Sequence, residues 1–110
     1  MKSLNTLLLL TMMCWTGACV AGDDAPGKHV FDRWCAACHA PGARFPGTAS
    51  LAVKYGGSMP AALEERTNMN ADFIRYFVRT GVMVMPPFRK TEITDGDLDA
   101  LSAYLSHRKQ

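Results

Sequence analysis

The stretch Trp34-Cys35-Ala36-Ala37-Cys38-His39 sets two thiols three residues apart and an imidazole directly behind the second. On a helical turn, side chains at i and i+3 share a face. Both sulfurs can therefore reach two vinyl groups of one porphyrin and form thioethers, with His39 brought under the iron. Cys-x-x-Cys-His is the attachment signature of haem c. Three other chemistries use paired cysteines. A thioredoxin-like redox pair needs a βαβ context, and none is readable here. A structural zinc site needs further Cys or His ligands. Beyond the leader described below only His29 and His107 remain, neither at finger spacing. A plain disulfide would leave the adjoining His39 without a reason.

The rest of the composition fits a small carrier of such a group. The chain has 110 residues, 48% apolar and 20% charged, which bounds it to one ordinary globular domain. Twelve Lys and Arg stand against ten Asp and Glu, a balance that excludes a nucleic-acid binder living by its basic surface. Residues 1–21 read as a signal peptide. Lys2 opens it, Leu4 to Trp15 is an uncharged apolar run, and Gly17, Ala18, Cys19 and Ala21 supply small residues for cleavage. The run is too short for a spanning helix, so the expected location is periplasmic, with no stable membrane span after processing. Thr16-Gly17-Ala18-Cys19 faintly resembles a lipobox, with Thr where Leu is usual, which makes a lipoprotein through Cys19 the minor alternative. The domain, residues 22–110, is near the size at which an apolar core alone suffices, so a cofactor is expected to help hold it.

A second axial ligand decides between carrying electrons and binding small molecules. A Met thioether opposite His raises the reduction potential. The mature candidates are Met59, Met69, Met83 and Met85. Met85 is favoured: it lies in Gly81-Val82-Met83-Val84-Met85-Pro86-Pro87-Phe88, where Pro86 forces an extended backbone and two prolines stiffen the loop. Met83 has the same parity along an extended segment and is the runner-up. Met59 and Met69 read as core filler.

Local signals predict an all-α chain of three to four helices wrapped around one haem. A helix is expected over 27–38, with Val30, Phe31 and Trp34 on one face. Pro41 and Gly42 end it, and 42–57 reads as loop. A short helix follows over about 58–66, with Ser58 as cap and Pro60 in its first turn. Asn70 caps a helix over 71–80 striped by Phe73, Ile74, Phe77 and Val78, and Gly81 stops it. Thr94 and Asp97 resemble a capping box for a last helix over 95–107, with Leu98, Leu101, Tyr104 and Leu105 inward.

This plan resembles the class I, mitochondrial-type cytochrome c family over nearly all of 27–107. The resemblance is carried by Gly27 and Phe31, Cys35 to His39, Met85-Pro86, and Leu101 and Tyr104. It implies that the first and last helices cross at Gly27 and Phe31 against Leu101 and Tyr104. It also implies that a proline carbonyl, Pro46 or else Pro41, accepts a hydrogen bond from the proximal His39, fixing its tautomer. More narrowly, Pro46-Gly47-Thr48, Lys54-Tyr55-Gly56-Gly57, Leu63 to Thr67 and Phe77 through Ile93 resemble the cytochrome subunits of p-cresol methylhydroxylase and its alkylphenol and eugenol hydroxylase relatives. That resemblance implies a flavoprotein electron donor of the vanillyl-alcohol-oxidase type and a downstream acceptor such as another cytochrome or a blue-copper protein. The central segment 42–69 is longer than in the p-cresol enzyme's subunit. The alternative is a free cytochrome shuttling between respiratory complexes. In either case the chain itself is not an enzyme. Seven bases within 40–90 against three acids suggest a face for an acidic partner.

Overall fold

The computed structural model describes residues 24–106. The leader 1–21, Cys19 and His107 lie outside the described residues. Within them the chain is helical, with no strand and a single isolated bridge between Val82 and Met85.

α1 is Ala25–Trp34, with Pro26 in its first turn, where a missing N–H costs nothing. Gly27, Val30 and Phe31 are its buried residues. The helix breaks at Cys35 and resumes as α2, Ala36–His39, so the single helix expected over 27–38 is two. The break is local: Cys35 N still donates to Phe31 O at 2.8 Å, and Cys35 O accepts from Cys38 N and His39 N at 3.0 and 2.9 Å.

α3, Pro46–Tyr55, occupies the segment expected to be loop. Pro46 is its first residue and Gly56 its left-handed end, so residues that read as breakers are its two boundaries. The helix expected over 58–66 is reduced to one 3₁₀ turn, Leu63–Glu65.

α4, Ala71–Thr80, begins as predicted: Asn70 Oδ1 accepts from Phe73 N at 2.8 Å. It stops at Gly81, whose φ of +65° favours glycine. α5, Asp95–Ser106, starts from a formed capping box, with Asp97 N donating to Thr94 Oγ1 at 3.1 Å and Thr94 Oγ1 donating to Asp97 Oδ2 at 2.8 Å.

α1 and α5 cross at the core. A Cβ on Gly27 would press into the Ala100 carbonyl and Tyr104 Cβ, so the helices approach closer than any other residue allows. Phe31 and Tyr104 lie 6.3 Å apart, tilted by 55°, as the crossing requires. Ile74 and Val78 of α4 join Ile93, Leu98, Leu101 and Leu105 in the same cluster, with Met69 beside them. Trp34, Cys35, Ala36, Leu63 and Phe88 are partly buried against it. The attachment motif thus sits on the edge of the core formed by the first and last helices. Among the described residues no helix is long and apolar enough to cross a membrane.

Candidate haem site

Cys35 and Cys38 are both free thiols, Cys35 half-buried and Cys38 exposed. Burial, and then the neighbouring Cys38, push the Cys35 thiol up to about 12. A reactive redox pair has the opposite property, a thiol lowered toward neutrality. A neutral thiol is the form whose S–H adds across a vinyl group. No group of three or more His, Cys, Asp or Glu side chains that could hold a metal ion occurs among the described residues.

His39 ends α2 and is half-buried. Burial, and then the positive charge of Arg66, hold its imidazole below its ordinary 6.5. It is neutral at pH 7, the state that ligates a metal. α3 walls it in. A Cβ on Gly47 would lie 2.7 Å from His39 Cε1 and 2.9 Å from Nδ1, so backbone rests directly on the ring. Thr48, buried, donates from Oγ1 to Ala40 O at 2.8 Å and fastens α3 to the segment after His39. His39 Nδ1 is buried here without a hydrogen-bond partner. The bond expected to the Pro46 carbonyl is not made; Pro46 instead starts α3 and sets Gly47 against the ring.

Met85 closes a two-residue hairpin with Val82, through Val82 N to Met85 O at 3.1 Å and Met85 N to Val82 O at 2.9 Å. Met83 and Val84 form its tip, 98% and 92% exposed, and Met83 has φ +51°. Shared parity between Met83 and Met85 holds only along an extended strand, and the tight turn removes it. Met83 therefore points into solvent, while Met85 is half-buried. Phe88 N donates to Val78 O at 2.8 Å, and the Phe88 ring meets Trp34 edge-on at 5.9 Å. The loop carrying Met85 and the motif carrying Cys35 thereby meet on one core edge. Met69 is buried as core filler; Met59 is only half-buried, its Sδ 3.9 Å from Asn68 Nδ2.

Sequence reasoning missed Arg66. It is 4% exposed, donates from Nε to Pro60 O at 2.9 Å, and stacks its guanidinium 4.6 Å from the centre of Tyr55. Its Nη2 is buried with no partner. An open donor on a buried cation calls for an acceptor, best a charged one. In the sequence it was visible only as one of the seven bases and as a member of the Leu63–Thr67 stretch; its burial depends on Tyr55 and Pro60, which the fold brings up. A neutral imidazole, the neutral Cys35 thiol with Cys38 three residues on, and a buried guanidinium with a free donor suit a group that brings a metal, vinyl carbons and carboxylates together. The residues fit haem c.

The basic face is largely answered from within. Arg75 pairs with Asp72 and Asp99 at 3.1 and 3.0 Å, Arg79 and Lys90 with Asp95 at 2.9 and 2.8 Å, and Arg89 with Glu92 at 3.5 Å. Arg44 and Lys54 lie over the rings of Phe45 and Tyr55.

The family described as cytochrome C oxidase, cbb3-type, subunit III matches residues 22–105. Two relatives are cytochromes c6. One, from Cyanidioschyzon merolae, is 32% identical over 109 residues, covering 96% of this chain and 92% of its own. The other, from Synechococcus, is 34% identical over 109 residues, covering 96% and 91%. A crystal structure of p-cresol methylhydroxylase with substrate bound contains a chain 30% identical to this one, with a TM-score of 0.52, covering 74% of this chain and 89% of that one.

Proposed function

We propose, for a chain that belongs to this cytochrome c family and carries electrons through a haem c attached at Cys35 and Cys38, that it is the periplasmic electron-accepting partner of a flavoprotein that oxidises a 4-alkylphenol. The observation that carries this reading is the likeness to p-cresol methylhydroxylase, which joins 30% identity to a shared fold over most of both chains. A vanillyl-alcohol-oxidase-like subunit is then the donor, and another cytochrome or a blue-copper protein the acceptor.

The haem supplies one-electron cycling of its iron between Fe(III) and Fe(II). The chain's own residues place and tune it. Cys35 and Cys38 tether it to the α1–α2 break. His39 would hold the iron through Nε2, since Nδ1 faces the Gly47 backbone. Met85 would supply the thioether, favoured over Met83 by its partial burial and its place in the hairpin. Pro46 supports the proximal side by starting the helix that backs the ring. Arg66 offers its open Nη2 to a haem carboxylate.

The second reading, a free shuttle between respiratory complexes, is favoured by the cytochromes c6, which match almost end to end. Affinity capture of the tagged chain from its native periplasm separates the two. Co-elution of a flavin-containing protein, whose phenolic substrate then reduces the haem, supports the first. A haem protein that elutes alone, and is reduced only by a respiratory donor, overturns it in favour of the second.

A further inference from the structure

We propose that Arg79 is the positioning residue that keeps the Met85 thioether on the haem iron. The proposal rests on the reading of Met85 as axial ligand. Arg79 stands in the last turn of α4, its side chain 23% exposed. Its Nη1 donates to Phe88 O at 3.1 Å and to Ile93 O at 2.9 Å, and its Nη2 donates to Asp95 Oδ1 at 2.9 Å. These acceptors mark both ends of the segment joining Met85 to α5. One planar cation therefore ties that whole segment back onto the helix that precedes the hairpin. The hairpin between them is closed by its Val82–Met85 pair and by Gly81, where a Cβ would meet the Met85 carbonyl, and Phe88 N adds one backbone bond to Val78 O at 2.8 Å.

A rigid fork suits this task better than a point charge. Arg presents its N–H groups in one plane, so a single side chain reaches two carbonyls and a carboxylate together, by charge-assisted bonds. Lys can reach fewer of them. The function follows from competition. A thioether is a soft, weakly held ligand, and its occupancy depends on how much of the time the loop is shut. An external ligand binds only when sulfur has left the iron: the Fe–S bond breaks, an Fe–N bond forms, and no electron moves. Its apparent affinity scales with the open fraction. Loosening the clamp must therefore tighten binding of an external ligand.

The test is an imidazole titration of the ferric holoprotein, followed by the near-infrared band that a thioether gives ferric haem. Arg79→Gln is expected to bind imidazole about tenfold more tightly than the parent, with haem content and helical circular dichroism unchanged. Arg79→Lys should fall between them. Asp95→Asn keeps Arg79 and removes the charge from one of its acceptors, so it should shift affinity the same way by about threefold, and it decides the matter if Arg79→Gln fails to fold. Equal affinities in the parent and in whichever of the two variants folds, while Met85→Ala binds imidazole far more tightly, overturn the role of Arg79 alone. An unchanged band and affinity in Met85→Ala overturn the ligand reading and this proposal with it.

Discussion

Arg66 is charged and buried, with one side of its guanidinium unanswered by protein. A cation kept in such a place beside a redox centre acts on that centre. It favours the state with less positive charge, which is Fe(II). At roughly 6–15 Å, in a medium of effective dielectric near 20, the interaction is of order 1–3 kcal/mol. Arg66→Gln keeps donors to Pro60 but removes the charge. The reduced-to-oxidised ratio at fixed potential is expected to fall about tenfold, a drop of about 59 mV for a one-electron couple. Spectroelectrochemistry measures it, and an unchanged midpoint would show that the positive charge is not felt by the iron. At the same scale, Met85→Ala should abolish the thioether band while Met83→Ala leaves it, because Met83 projects from the hairpin tip. The ligand motif could be read in the sequence because its geometry is contained in one helical turn. Arg66 could not, because its burial is made by Tyr55 and Pro60 at positions whose proximity only the folded chain creates.

Elements were legible where their ends obey local chemistry. Asn70, Gly81 and the Thr94–Asp97 box all do so, and α4 and α5 fall where those residues place them. α3 was not legible, since Thr48 is its only buried residue and it carries no apolar stripe to announce it. It is held instead by backbone contact with His39 and by Thr48 on Ala40. The α1–α5 crossing makes the sharpest prediction among the elements. Gly27→Ala must push α1 away from Ala100 and Tyr104 of α5, and overpacking of this kind costs about 1–3 kcal/mol. Thermal unfolding of the holoprotein should register the loss, and a variant as stable as the parent would mean that the helices can separate without cost. The segment after Met85 should respond to acid. Lys90 and then Arg79 hold the Asp95 carboxyl below its ordinary 3.8, and the Arg89 backbone N–H and side chain hold Glu92 down likewise. Their stabilising contribution is complete above the ordinary carboxylate range and disappears as pH falls through the lowered values. The thioether band should therefore fade in acid, with a shallower pH dependence in Asp95→Asn.

For the molecule as a whole, charge counted along the sequence and charge available to a partner are different quantities. The excess of bases within 40–90 suggested an acidic partner drawn by long-range attraction. The fold places Asp72, Asp95, Asp99 and Glu92 against Arg75, Arg79, Lys90 and Arg89, and takes Arg66 inside. The field that remains at a distance is weak. The most protruding feature near Met85 is apolar instead: the Met83–Val84 tip, with Val82 at its base 47% exposed. Encounter with the electron donor should then depend little on ionic strength, since steering needs net opposite charge over more than a Debye length. Stopped-flow reduction of the ferric protein by its donor is expected to change by less than about threefold between 20 and 200 mM salt. A charge placed on the tip, Met83→Glu, should slow the same reaction about tenfold, because a carboxylate must be desolvated at a contact built for side chains without charge. A steep fall of the rate with salt, together with an unaffected Met83→Glu, would return the docking site to the basic residues and away from the hairpin.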